Sequence, residues 1–168
     1  MSLQKQWYVV YTRPRWEKKV SALLDKEAIE NFCPVNKVIR QWSDRRKTIY
    51  EPLFSSLVFV RIAPGDRCVV QQTEGFLRFI QREGRPVTIQ PDEIRELRLF
   101  MEQHQSLQVD HIAVDPNDRV RILRGMTMAR QGTDPMVTYH SVKLILPTLG
   151  YVVTATLQLE DASAETLS

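Results

Sequence analysis

Hydrophobic periodicity changes character once along this chain, near residue 103, and the change restricts the folds open to it. Before that point β-branched and aromatic runs alternate with helical spacing; beyond it no helical period appears. Trp7 to Thr12 (WYVVYT) reads as a strand. Pro14 then breaks the run and suits the start of a helix. Trp16, Val20, Leu23 and Leu24 fall at i, i+4, i+7 and i+8, one face of that helix, with Glu17, Lys18, Lys19, Asp25, Lys26 and Glu27 opposite. Phe32 to Trp42 reads as a second strand and Gln41 to Lys47 as a turn. Thr48 to Ile62 returns as strands around a break at Pro52 to Ser56. A short helix or extended loop follows to Thr73, then a strand at Phe76 to Gln81 and a turn at Glu83-Gly84-Arg85-Pro86. Pro91-Asp92-Glu93 starts a helix, with proline in the first turn and acids at the positive end of the dipole; Ile94, Leu97 and Met101 continue it.

The order β-α-β-β-α-β-α predicts an α+β layer of ferredoxin-like type. Gln103 to Asp110 is polar and aperiodic, which places a domain over 1–104, a linker over 105–114 and a second domain over 115–160. In the second, Arg119 to Leu123, Met136 to Leu146 and Tyr151 to Leu159 are alternating or β-branched, separated by glycines and prolines. That pattern predicts a small all-β barrel of about 50 residues, near the lower limit for an independent core. The small polar residues from Asp161 to Ser168 are expected to fray.

No apolar run approaches the ~18 residues of a membrane span, and the N-terminus lacks the apolar stretch of a signal peptide. Cys33 and Cys68 fit no metal spacing and no disulfide framework, and His104, His111 and His140 are scattered. No metal and no cofactor is expected, and a cytoplasmic location is. Ser55 and Ser56 have neither a glycine-flanked turn nor a histidine to serve them, and Gly65, Gly75 and Gly84 form no phosphate-cradling loop. The chain reads as a non-enzyme that nothing requires to be more than a monomer.

The net charge of +3 conceals an asymmetry: residues 1–62 hold 12 Lys/Arg against 6 Asp/Glu, and the remainder carries no basic excess. Uneven charge of this kind is the footprint of a face that approaches phosphates. One basic group, Arg13, Arg15, Lys18 and Lys19, sits where the first strand becomes the first helix; the other, Arg40, Arg45, Arg46 and Lys47, sits in the second hairpin. Trp16 accompanies the first but opens the apolar helix face, so core packing is its leading reading. Trp42, in a polar turn, is the better candidate to stack on a base. Along the first strand Trp7, Val9 and Tyr11 share one face and Tyr8 and Val10 the other. The sheet face not covered by helices, lined by some of Tyr8, Tyr11, Phe54, Leu57 and Phe59, is expected to be a partly exposed binding patch. Coverage by a loop or by the second domain is the alternative.

Trp7-Tyr8-Val9-Val10-Tyr11-Thr12, Glu51-Pro52-Leu53-Phe54 with Val58-Phe59-Val60, Thr73-Glu74-Gly75-Phe76-Leu77-Arg78-Phe79 and Gly84-Arg85-Pro86 resemble, in order, the NusG family, in particular its specialised paralogs of the RfaH and UpxY kind. Asn117-Asp118-Arg119-Val120-Arg121-Ile122 with Gly125 resembles the start of a KOW motif. The resemblance implies a NusG-type N-terminal domain and a KOW-like barrel, acting as a transcription elongation factor. It implies that an apolar pocket at Phe54, Leu57 and Phe59, with Tyr8 and Tyr11, binds the clamp helices of RNA polymerase. The basic side would face DNA or RNA of the elongation complex, pausing and termination would be suppressed on particular operons, and the second domain would meet a ribosomal protein or Rho. Two departures stand out. Phe54-Ser55-Ser56-Leu57 replaces the usual Phe-Pro-x-Tyr, and Met128-Ala129 stands for the Lys-Gly of the KOW loop, so that turn is expected to be built differently. Two rivals share the pattern. A free-standing RNA-binding module has the same β-α-β-β-α-β order, although only Phe59-Val60 fits its central-strand motif. A ribosome-associated factor also combines a basic domain with a small barrel.

Overall fold

The first apolar run becomes the central strand of a sheet. β1 (Gln6–Thr12) pairs antiparallel with β5 (Leu57–Ile62) on one side and with β6 (Phe76–Phe79) and β9 (Thr88–Ile89) on the other. β2 (Glu30–Phe32) pairs outside β5, giving the order β2-β5-β1-β6. The computed structural model describes residues 4–129 and 137–158, which form two compact units divided between Leu99 and Phe100.

On one face of the sheet Tyr8, Val10, Val58, Val60 and Ile62 pack with Val20 and Leu24 of α1 (Glu17–Lys26) and Val70 of α2 (Arg67–Gln71). On the other face Trp7, Val9, Leu57 and Phe59 are also buried. Burial on both faces explains why β1 and β5 read as unbroken apolar runs rather than alternating ones. α1 ends in a Schellman motif: the Ile29 N–H donates to the Leu24 carbonyl at 3.0 Å and the Ala28 N–H to that of Asp25 at 3.0 Å. The left-handed position is Ala28, φ 56°, where glycine is the usual occupant.

The segment expected as one strand from Phe32 to Trp42 is two. Pro34 has no N–H to continue a ladder, so β2 stops at Phe32 and β3 (Val35–Gln41) leaves the sheet. It pairs instead with β4 (Arg46–Pro52) as a separate two-stranded arm, closed at its root by the Leu53 N–H on the Pro34 carbonyl at 2.8 Å. The Pro52–Ser56 break is a fixed turn: Ser56 has φ 63°, and its carbonyl accepts the Thr12 N–H at 2.8 Å. A second small hairpin, β7 (Gln81–Arg82) and β8 (Arg85–Pro86), turns through Glu83 and Gly84, both at positive φ. α3 (Pro91–Gln103) begins where the proline and acids place it.

The second unit is a four-stranded antiparallel sheet ordered β10-β13-β12-β11, from β10 (Gln108–His111), β11 (Arg121–Ala129), β12 (Val137–Leu146) and β13 (Tyr151–Gln158). Val142, Leu144, Ile145, Leu146, Val153 and Ala155 supply buried side chains. β10 lies inside the stretch read as a linker, where Val109 pairs with Val153 and Asp110 with Val152. An outer strand with polar side chains carries no apolar alternation, which is why the sequence hides it. Met128 and Ala129 stand within β11, paired with Thr138 and Val137, and are not in a turn. Residues 130–136, and the expected fraying of residues 161–168, lie outside the described residues.

Candidate partner and nucleic-acid interfaces

Four of the five residues expected to form an apolar patch share a face. β1–β5 register places Tyr11 beside Leu57 and Val9 beside Phe59, and Phe54 meets Phe59 edge-on with ring centroids 5.8 Å apart. Tyr8 is on the opposite face, 4% exposed in the helix-side core, with its ring against Phe79 at 5.9 Å. The patch is also less open than expected: Phe54, Leu57 and Phe59 are all buried, Phe59 completely. Its reachable rings are Tyr11, half-buried under the Arg78 guanidinium at 5.2 Å, and Phe32, which stacks on Phe59 at 6.1 Å. Arg98 of α3 lies over both Phe32 and Trp7, at 4.7 and 5.7 Å from the ring centres. Sequence reasoning did not bring in Phe32, Arg78 or Arg98. Phe32 was legible as the start of a strand, but only its register with Phe59 shows which face it joins.

The first basic group gathers around Trp16. Arg13 and Lys19 lie over its ring at 5.6 and 4.7 Å, while the indole packs against the helix-side core, as its place in the apolar stripe requires. Gly75 is what lets it sit there. At φ +91° it adopts a backbone that disfavours side chains, and a Cβ would lie 2.7 Å from the Trp16 ring and 2.8 Å from Val20. The Gly75 carbonyl also accepts the Arg13 N–H at 2.9 Å. Arg15 is exposed and, at φ 68°, is held in a left-handed turn. Lys18 has a different role: its Nζ donates to the Tyr50 carbonyl at 2.7 Å, tying α1 to the arm.

The second basic group occupies the β3–β4 arm. Its tip is a four-residue turn in which the Trp42 N–H donates to the Arg45 carbonyl at 2.8 Å. Lys47 lies 5.2 Å from the Trp42 ring centre, Arg46 donates to Gln41 Oε1 at 3.2 Å, and Arg40 pairs with Glu51 at 3.3 Å. The Arg40–Glu51 pair is exposed on both sides and contributes at most about 1 kcal/mol. Arg45 is exposed, and no acidic partner meets it among the described residues.

Nucleophile chemistry finds no support at Cys33. Burial, assisted by the Glu17 carboxylate and opposed by Lys18, pushes its thiol up to about 11, so the thiolate is scarce near neutrality. Among the described residues no group of His, Cys, Asp and Glu could hold a metal ion, and no helix is long and apolar enough to cross a membrane.

A ferredoxin-like sheet with a projecting cationic arm, followed by a small antiparallel β unit, defines a two-unit α+β protein whose arm and first strand–helix junction carry basic and aromatic side chains. The family model described as "Transcription termination factor nusG" matches residues 5–98, the span of the first unit, and the chain belongs to the NusG family. A curated relative, "Transcription termination/antitermination protein NusG" of Thermus thermophilus, is 24% identical, the match covering 71% of this chain and 76% of the relative. A solved structure described as "Domain interaction in Thermotoga maritima NusG" is 20% identical, with 92% of each chain covered and a TM-score of 0.46.

Proposed function

We propose that this protein is an elongation factor that binds RNA polymerase and promotes readthrough of pauses and terminators, serving particular operons in the manner of the RfaH and UpxY paralogs. The observation that carries this reading is the family match over residues 5–98, which spans the sheet, the basic root and the arm. The docking surface is the sheet face around Tyr11 and Phe32, with Phe54, Leu57 and Phe59 building it from beneath. The root residues Arg13, Arg15 and Lys19 and the arm face nucleic acid. The second unit, with Ile122 and Leu123 exposed on its last strand in spatial order, takes a ribosomal protein or Rho.

The full chain is tested for retention of bacterial RNA polymerase, wild type against Tyr11→Ala. Circular dichroism verifies that the half-buried site still folds. Loss of an aromatic anchor at a binding centre weakens affinity about 30-fold. Single-round transcription over a template with a pause and a terminator then reads the sign of the effect. No retention of the wild-type chain would refute polymerase binding. Unchanged retention of Tyr11→Ala would move the dock elsewhere on the molecule.

A further inference from the structure

The sheet face read as the dock carries arginines in two different states. Antiparallel register puts Glu30 beside Arg61, Arg61 beside Trp7, and Phe32 beside Phe59. At the other end of β1 it puts Leu57 beside Tyr11 and Tyr11 beside Arg78. Paired residues project to the same side, so Arg61 and Arg78 share the face of the aromatic strip. Arg98 reaches that strip from α3, with its guanidinium over Phe32 and Trp7. Arg61 is matched by Glu30 at 3.0 Å, and Arg95, one turn before Arg98, by Asp92 at 3.0 Å. Arg78 and Arg98 are exposed, and no carboxylate meets either among the described residues. Each rests on aromatic rings instead.

We infer that Arg78 and Arg98 determine which partner this dock accepts, each receiving a carboxylate from an acidic protein surface. The inference rests on the reading of this face as the polymerase dock, and it adds the charge that the partner must present. The aromatic strip beneath is neutral and largely buried, so apolar contact alone discriminates little. Two unmatched cations at its ends do discriminate: they repel a basic surface and favour an acidic one. A guanidinium seated on a ring retains its N–H donors for a planar, two-point bond to a carboxylate. Its contact with the ring also lowers the side-chain freedom that docking would remove. Trp7 and Tyr11 are four residues apart on β1, about 13 Å, so the two arginines address separate carboxylates. Nucleic acid fits this face poorly. An unpaired base would have to stack on Tyr11 or Phe32, the reachable rings, and a guanidinium already lies over each.

The test titrates the full chain against bacterial RNA polymerase at several salt concentrations, for wild type, Arg78→Gln, Arg98→Gln, Arg78→Lys and Arg98→Lys, with circular dichroism to verify folding. Each Gln variant should bind about 10-fold more weakly and with a flatter salt dependence, as loss of a hydrogen bond to a charged group requires. Each Lys variant keeps the charge without the planar fork, so it should keep the salt dependence and recover part of the affinity. A carbodiimide, which joins an amine to a carboxylate in contact with it, should link Arg78→Lys and Arg98→Lys at those positions to Asp or Glu of polymerase, read by mass spectrometry. Wild-type affinity in both Gln variants overturns the inference and leaves the dock standing. So does a loss of affinity with an unchanged salt slope, which marks a merely structural role. If the Gln variants lose oligonucleotide binding or a dimer of the chain while polymerase binding holds, the arginines serve nucleic acid or a second copy, and the inference falls. Failure of wild type to bind polymerase removes the dock reading and the inference together.

Discussion

Ala28 shows how much one backbone angle contributes. It sits at φ 56° in a capping motif whose two hydrogen bonds are both made, so the geometry is complete and only the residue is ill-suited. An L-residue in the left-handed region costs roughly 1–2 kcal/mol, and glycine there returns part of that gain by freeing the unfolded chain, roughly 0.4–1 kcal/mol. Ala28→Gly is therefore expected to stabilise the first unit by about 0.5–1 kcal/mol, seen as a higher urea midpoint with an unchanged slope. A lower midpoint would mean that the Ala28 methyl packs usefully.

At the scale of the element, one bond closes the root of the arm and another holds the arm to α1. The Leu53 N–H closes its root, and Lys18 reaches β4 at the Tyr50 carbonyl. Lys18→Ala is expected to speed amide exchange through 46–52 while leaving that of β1 and β5 unchanged. Uniform exchange in both variants would mean that the ladder alone orders the arm. The arm also marks where sequence reasoning succeeded and where it stopped. Its basic turn and strand runs were legible because arginine, lysine and alternating β-formers are local signals. That it separates from the main sheet was not, because one proline and a long-range bond decide it. Tyr8 makes the same point: alternation put it on the face opposite Tyr11, but grouping it with the patch required ignoring that parity. The burial of Phe59 was carried by the unbroken apolar run of β5, which signals cover on both faces and which the expectation of an open patch passed over. β10 was invisible because three of its four side chains, Gln108, Asp110 and His111, are polar and leave no apolar alternation to read.

At the scale of the whole molecule, His104 gives the second unit a dependence on pH. In the second unit burial and the nearby Arg124 hold His104 below its ordinary value of 6.5, with its ring 4.6 Å from that of Phe100. The unfolded chain therefore takes up this proton first as pH falls. Stability contributed by neutral His104 is complete above 6.5 and declines below it until the depressed folded value is passed. Urea unfolding of the second unit, followed by its NMR signals, should show a midpoint falling between pH 7.5 and the acidic side of 6.5. His104→Phe should flatten that fall. An imidazole titrating at or above 6.5 in the wild type would rule out the assignment.

β1 is made before every strand it pairs with and is the one on which the sheet is centred, with partners as late as Thr88 and Ile89. During synthesis it must wait for most of a domain to follow it out of the ribosome, roughly 4–16 s at usual rates of elongation. The arm and α1, whose contacts are local, can form in that interval. The apolar run WYVVYT cannot, and it spends the wait as an unpaired strand that a chaperone would recognise.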